Sequence, residues 1–247
     1  MPTISVVIPA LNDAEMLEQC LEALAVQTLQ PDEIVVVDNA STDDTAEVAA
    51  RYGCRVIFEP VRGIPSATAR GLDEAKMEIL ARLDADSVPE PDWLERVHKH
   101  FDGHPEVAAV TGTGVFYGSK DWVHWAGEKF YLGGYFWFFT WLLGHPPIFG
   151  SNCAIRRSTW QRIENTYLRH EPKIHDDLHL SFRIAPDMEV VYDENLKVAV
   201  SARPITSLRR ISRGAWWGYT TSKASLAQEN AFQRRRARKN FHEEVVR

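Results

Sequence analysis

Residues 79–94 read ILARLDADSVPEPDWL, an apolar run that stops abruptly at Asp84-Ala85-Asp86. Pro89 and Pro91 follow, and a segment with helical spacing begins behind them. The run before the acids has the length and near-continuous hydrophobicity of a strand buried on both faces. Carboxylates at the end of such a strand are left at the rim of a sheet, where they can face solvent or a ligand.

The same arrangement recurs on either side. TISVVI (3–8) reads as a buried strand ended by Pro9, and Leu17, Cys20, Leu21 and Leu24 then recur at helical spacing, with Asn12 or Asp13 as cap. DEIVVVD (32–38) is a second strand, Asp43 to Tyr52 a helix stopped by Gly53, and CRVIFE (54–59) a third strand. Ser66 to Ala75 reads as a helix, EILARLD (78–84) as the fourth strand, Pro91 to Phe101 as a helix and EVAAVTG (106–112) as a fifth strand. This alternation predicts an α/β fold, a mainly parallel sheet sandwiched by helices in a single domain. Open sheets of this kind bind ligands beyond the carboxyl ends of their strands. The polar residues keep that register: Asn12-Asp13 follow the first strand, Asp38-Asn39 the second, Glu59 the third and Asp84-Ala85-Asp86 the fourth.

The bulk numbers fit a globular enzyme-sized chain. Its 247 residues are 45% hydrophobic and 25% charged. Cys20, Cys54 and Cys153 form no CxxC pair, which argues against a zinc site and for a reducing, cytoplasmic compartment. Residues 203–247 carry 11 Lys/Arg against 3 Asp/Glu, so the net charge of −6 hides a basic end on an acidic body. That body argues against a nucleic-acid partner. FYLGGYFWFFTWLLG (130–144) holds eight aromatics and no charge. It is too short to span a bilayer, and reads as a core helix, an acceptor wall or an interfacial helix.

Asp84 and Asp86, two residues apart at a strand end, can converge on one point. Two hard oxygen donors there suit Mg2+ or Mn2+, whose shell is completed by water and substrate phosphates. Neither a Walker loop nor a GxGxxG follows the first strand, so a diphosphate would be neutralised by metal and basic side chains. Asp38 could hydrogen-bond a ribose or base edge, or merely cap the turn. Arg70 could meet a phosphate, or sit on a helix surface. GSNCAIRRS (150–158) offers backbone donors, and HDDLHLSFRI (175–184) a further acidic pair.

These motifs in this order resemble family 2 of the glycosyltransferases, inverting nucleotide-sugar enzymes of the GT-A fold. The resemblance runs from about residue 3 to about residue 213. It rests on SVVIPALND (5–13), VVVDNASTDDT (35–45), GIPSATARGLDEA (63–75), LDADSVPEPDWL (83–94), GSNCAIRRS and HDDLHLSFRI. It implies a nucleotide-binding half (1–114), an acceptor-binding half (115–213) and a basic helical tail (214–247). Pro9, Ala10, Asn12, Asp38, Arg70 and Asp84 would bind the nucleotide, and Asp86, with Asp84, the metal. Gly150, Ser151 and Asn152 would border donor sugar and acceptor, and Asp177 would be the catalytic base beside Asp176.

The chain departs from the pattern in having Asp176 where Glu is usual, His179 where a further Asp is common, and Gly71 where Asn often follows the arginine. The tryptophan-containing motif of processive synthases is missing after the acidic pair, which implies transfer of a single sugar. The expected donor is a UDP-sugar and the acceptor a hydroxyl. The aromatic stretch and basic tail suggest a lipid-linked acceptor and peripheral contact with the inner membrane face. The alternatives are a sugar nucleotidylyltransferase, whose GGxGxR signature VVIPALND lacks, and a non-catalytic nucleotide-sugar binding module.

Overall fold

A computed structural model describes residues 1–118, 132–171, 173–203, 207–227 and 229–245. Its strands are β1 (Ile4–Ala10), β2 (Glu33–Asp38), β3 (Arg55–Phe58), β4 (Ile79–Arg82), β5 (Ser87–Pro89), β6 (Val107–Tyr117), β7 (Cys153–Arg156) and β8 (Glu189–Ser201). Helices α1 (Ala14–Ala25), α2 (Thr45–Arg51), α3 (Ile64–Glu74) and α4 (Trp93–Phe101) alternate with the first strands. Then come α5 (Gly133–Leu143), α6 (Arg157–Ile163), α7 (Asp176–Arg183), α8 (Leu208–Leu226) and α9 (Ala231–Val245).

Among the described residues the strands form one sheet in the order β3-β2-β1-β4-β7-β6-β8-β5. β1 to β4 pair in parallel, as their alternation with helices requires. β7 runs antiparallel between β4 and β6, β8 is parallel to β6, and β5 is antiparallel to β8. The sheet is therefore mixed, with its parallel block at the amino-terminal side. One sheet runs through both expected halves: residue 114 lies inside β6, and residue 213 inside α8.

Strand period puts alternate residues on opposite faces, and the core follows it. Val6, Ile8, Ile79 and Ala81 pack with Leu17, Leu21, Trp93 and Leu94 of α1 and α4. Val7 and Leu80 pack with Leu72, Trp160 and Leu180 of α3, α6 and α7. Both faces are covered, which explains the continuous apolar runs.

β1 does not end at Pro9 but continues to Ala10, in register with Val37 and Asp38 of β2. The Val7 carbonyl accepts from Leu83 N–H, so odd residues of β1 face β4, while Ala10 O accepts from Asn39 N–H on the β2 side. Pairing with β4 stops at Val7↔Arg82. Pro9 points its missing donor past the end of β4, where no ladder bond is lost.

Gly71 lets α3 lie directly on β1: a Cβ there would overlap Val7 Cγ1 and press on Val37. Gly71→Ala is expected to destabilise the fold by about 1–3 kcal/mol through overpacking. An unchanged denaturation midpoint would show that α3 can slide off the sheet at no cost.

Within the basic end of the chain, the RRRARK run (234–239) is docked through two of its arginines. Arg234 donates to the carbonyls of Phe182 and Ile184, and Arg238 to those of Ala185 and Met188. Both guanidinium groups thus serve the orphan carbonyls at the end of α7 and just beyond. α5 lies within the aromatic stretch but is not a core helix. Leu142 and Leu143 are its buried residues, while Trp137, Phe138 and Trp141 stand in solvent. Phe130 and Tyr131, which begin that stretch, lie outside the described residues. No helix among the described residues is long and apolar enough to cross a membrane.

Candidate active site

Strand register assembles the site. β1, β2, β3 and β4 end together at one edge of the sheet. Because β7 is antiparallel to β4, its first residue, Cys153, lies opposite Arg82 at the end of β4. The loop Gly150-Ser151-Asn152 must therefore arrive beside Asp84. Likewise β5 runs antiparallel to β8 with Ser87 opposite Val200, which brings Arg203 beside Asp86. A cleft of about 320 Å³ results, lined by Pro9, Ala10, Asp13, Asp84, Asp86 and Arg203 among others.

Arg82 is the hub. Its side chain is 3% exposed, at the end of an otherwise apolar strand. Nη1 reaches Asp176 at 2.5 Å and Asp177 at 3.4 Å, and Nη2 reaches Asp84 at 3.1 Å. Burial works against its charge, but Asp176, Asp84 and Asp177 outweigh that and hold the guanidinium firmly protonated.

Asp176 is fully engaged: besides Arg82 it accepts from the hydroxyls of Thr68 and Tyr167. Burial pushes its carboxyl above the ordinary carboxylate range, with Arg82 opposing and Asp177 adding to the shift. Its neighbour differs. The Asp177 side chain is 16% exposed, accepts from Gly150 N–H, and is pushed upward by burial with Arg82 opposing. A Cβ on Gly150 would overlap Asp177 Oδ1 and crowd Arg82, so this backbone approach needs glycine. Of the acidic pair, Asp176 is built in as a strut and Asp177 remains available for proton transfer.

Asp84 spends one oxygen on Arg82 and the other on Ser151 Oγ at 2.5 Å. Asp86 Oδ2 accepts from Arg203 Nη2 at 2.9 Å, while Arg203 Nη1 reaches Asp13 at 2.7 Å. Burial and the nearby charge of Asp84 push the Asp86 carboxyl upward, against the pull of Arg203. Around the cleft Asp13, Asp84, Asp86, Asp176 and Asp177 face two guanidinium groups, Arg82 and Arg203, so negative charge is in surplus. Hard oxygen donors with uncompensated charge fit a divalent cation. Among the described residues no group of three or more His, Cys, Asp or Glu converges as a protein-only metal cage.

Other expected site residues are placed differently. Asp38 is buried at the end of β2 and accepts from Ser41 N–H, the capping alternative. Asn12 stands at φ 53° and gives its side-chain oxygen to Thr42, tying two loops together rather than facing the cleft. Arg70 lies on the outer face of α3, paired with Glu74 one turn on. Asn152 is wholly buried: it accepts from Trp93 Nε1 and donates to the carbonyls of Thr113 and Leu196. Its side chain clamps strands and leaves Gly150 and Ser151 to form the site. His179, standing where a further Asp is common, accepts from Leu168 N–H, and burial lowers its pKa to about 4, leaving it neutral.

Sequence reasoning missed Arg82, Arg203, Thr68 and Tyr167. Arg82 left a signal, since a charge inside an apolar strand must find a partner. Arg203, 117 residues from Asp86, left none.

The chain was compared with known proteins. Residues 5–163 match the family described as glycosyl transferase family 2. Glycosyltransferase AglE of Haloferax volcanii is 35% identical over 123 residues, 47% of this chain and 38% of that protein. An uncharacterized glycosyltransferase of Mycobacterium bovis is 45% identical over 109 residues, 44% of this chain and 47% of that one. The matches thus span less than half of these relatives.

Among solved structures, mannosyltransferase PcManGT from Pyrobaculum calidifontis, in complex with GDP-Man and Mn2+, superposes with TM-score 0.72 at 20% identity. It covers 98% of this chain and 70% of that one. Glucosyl-3-phosphoglycerate synthase from Mycobacterium tuberculosis, with Mn2+, UDP and phosphoglyceric acid, gives 0.64 at 20% identity, covering 91% and 78%. Both likenesses speak to the fold, which is GT-A. With the family pattern spanning more than half of the residues and the acids gathered at the sheet edge that the fold demands, the chain belongs to glycosyl transferase family 2.

Proposed function

We propose that the protein transfers a single sugar, with inversion, from a UDP-sugar to an acceptor hydroxyl, assisted by Mg2+ or Mn2+. The observation that carries this reading is the Arg82 hub, which ties the available carboxylate Asp177 to Asp84, two residues before Asp86. UDP or GDP-Man with Mn2+ in structures of the same fold supports the donor class and the metal.

Asp86 would hold the cation directly once Arg203 yields, and Asp84, both oxygens already engaged, would act through bound water. When bound, the cation supplies positive charge to the departing diphosphate. Asp177 accepts the proton of the acceptor hydroxyl as its oxygen bonds to the anomeric carbon. The bond from that carbon to the diphosphate oxygen breaks on the opposite face. Gly150 N–H and Arg82 fix the orientation of the Asp177 carboxylate throughout. Pro9 and Ala10 border the nucleotide from the strand ends. The free thiols of Cys20, Cys54 and Cys153 fit a reducing compartment, and the reading includes a cytoplasmic site of action.

Incubation with a UDP-sugar panel tests the reaction class: release of UDP with a product of inverted anomeric configuration is expected. Pyrophosphate, or retained configuration, would refute it. For the metal, Asp86→Asn is expected to weaken Mn2+-dependent UDP binding at least tenfold in calorimetry, the lower end of losses at ligating shells. Wild-type affinity in that variant would remove Asp86 from the role.

A further inference from the structure

His175 and Leu178 flank the pair Asp176-Asp177 in sequence, and both line a second cavity of about 880 Å³ between α5, the start of α7, and α8. Its walls are apolar: Phe138, Phe139 and Leu142 from α5, Leu178 from α7, and Ile211 from α8. Gly214 and Gly218, one turn apart on α8, leave the floor open. Among the described residues, a Cβ on Gly214 would meet nothing within 4 Å, and one on Gly218 would reach only ordinary contact with Leu178 at 3.5 Å and His175 at 3.9 Å. Two hydrogen-bonding atoms in this lining, His175 Nδ1 and Ser222 Oγ, are sealed from solvent without a partner among the described residues. Burial lowers the His175 pKa to about 4, so its ring is neutral.

The surroundings have the chemistry of a lipid interface. Trp137 and Trp141 on α5 and Trp216 and Tyr219 on α8 are at least half exposed. Arg213 stacks on Trp217 and Arg235 on Trp141, and Arg209 and Arg210 stand exposed at the start of α8. Large aromatics beside arginines suit the boundary between acyl chains and anionic head groups. A water-soluble acceptor would leave this apolar volume unused.

We propose that the groove takes the aliphatic tail of an amphiphilic lipid acceptor. The polar end of that acceptor lies at His175 and Ser222 and presents its hydroxyl to Asp177. The inference rests on the glycosyltransferase reading but is tested without sugar transfer. Dodecyl phosphate and butyl phosphate, below the critical micelle concentration, are titrated into the full chain by calorimetry. Each buried methylene raises affinity about fourfold, so dodecyl phosphate is expected to bind one site at least a hundredfold more tightly than butyl phosphate. Gly218→Phe, which fills the floor, is expected to weaken dodecyl phosphate at least tenfold and leave Mn2+-dependent UDP binding unchanged. Gly214→Leu makes the same test should the phenylalanine variant fail to fold.

Affinities within threefold of each other for the two phosphates would overturn the proposal. So would dodecyl binding indifferent to these substitutions, or no binding because another copy or segment of the chain fills the groove. Dodecyl phosphate binding without any sugar transfer would refute the catalytic reading alone. Transfer to soluble acceptors with no dodecyl binding would refute the groove alone.

Discussion

Asp177→Asn is expected to lower sugar transfer by about 10²–10⁴-fold, the usual worth of a positioned general base, with nucleotide binding intact. The substitution keeps size and shape while removing the proton acceptor. Its neighbours make the choice of Asp177 over Asp176 physical: Asp176 is enclosed by Arg82, Thr68 and Tyr167, while Asp177 keeps an open edge.

The pH dependence carries a sign. In the proposed role Asp177 works only as the anion, so activity is expected to be lost as pH falls through its pKa. Burial raises that pKa, so the acidic limb of kcat/KM belongs above the ordinary carboxylate range of about 4. Asp177→Asn with near wild-type turnover, or a wild-type profile flat down to pH 4, would take the base role away from this residue.

The second large effect is on stability. Arg82→Met is expected to cost about 3–5 kcal/mol, because removing one member of a buried ionic group strands the others. Asp176 and Asp177 would remain near one another, with Asp84 beside them and no cation between. The native pKa values of Asp176 and Asp177 would rise further above those of the unfolded chain, so the native state would bind more protons and stability would fall more steeply as pH rises. Asp176 and Asp177 are already raised in the wild type, so the variant should gain more stability than wild type between pH 7.5 and pH 5 and so recover part of the loss. Denaturant midpoints at pH 5 and pH 7.5 check this. A midpoint equal to wild type at pH 7.5 would mean the three acids are held by something other than Arg82.

Much of the fold was legible because it rests on local periodicity. The odd-even division of Val6, Val7 and Ile8 between two core clusters follows from strand geometry alone. So does the presence of acids where β2 and β4 end. The antiparallel portion was not legible. β5 has three residues, β7 has four, and β8 pairs with β6 across a register shift between Thr111 and Thr113. Elements so short or irregular leave little period to read. Arg70 and Asn12 were read toward a nucleotide, but the structure gives one to a surface ion pair and the other to a loop tie. Both uses depend on side-chain direction, which motif position does not specify.

What the sequence determined by itself is the parallel block and the supply of carboxylates at its rim, because strand period and strand length set both. Only tertiary structure decided which acids are used up and which stay available. β7 lies antiparallel against β4 and so delivers Ser151 to Asp84, and β8 against β5 delivers Arg203 to Asp86. Those pairings join residues 67 and 117 positions apart. No local propensity spans such distances; strand pairing across the sheet does.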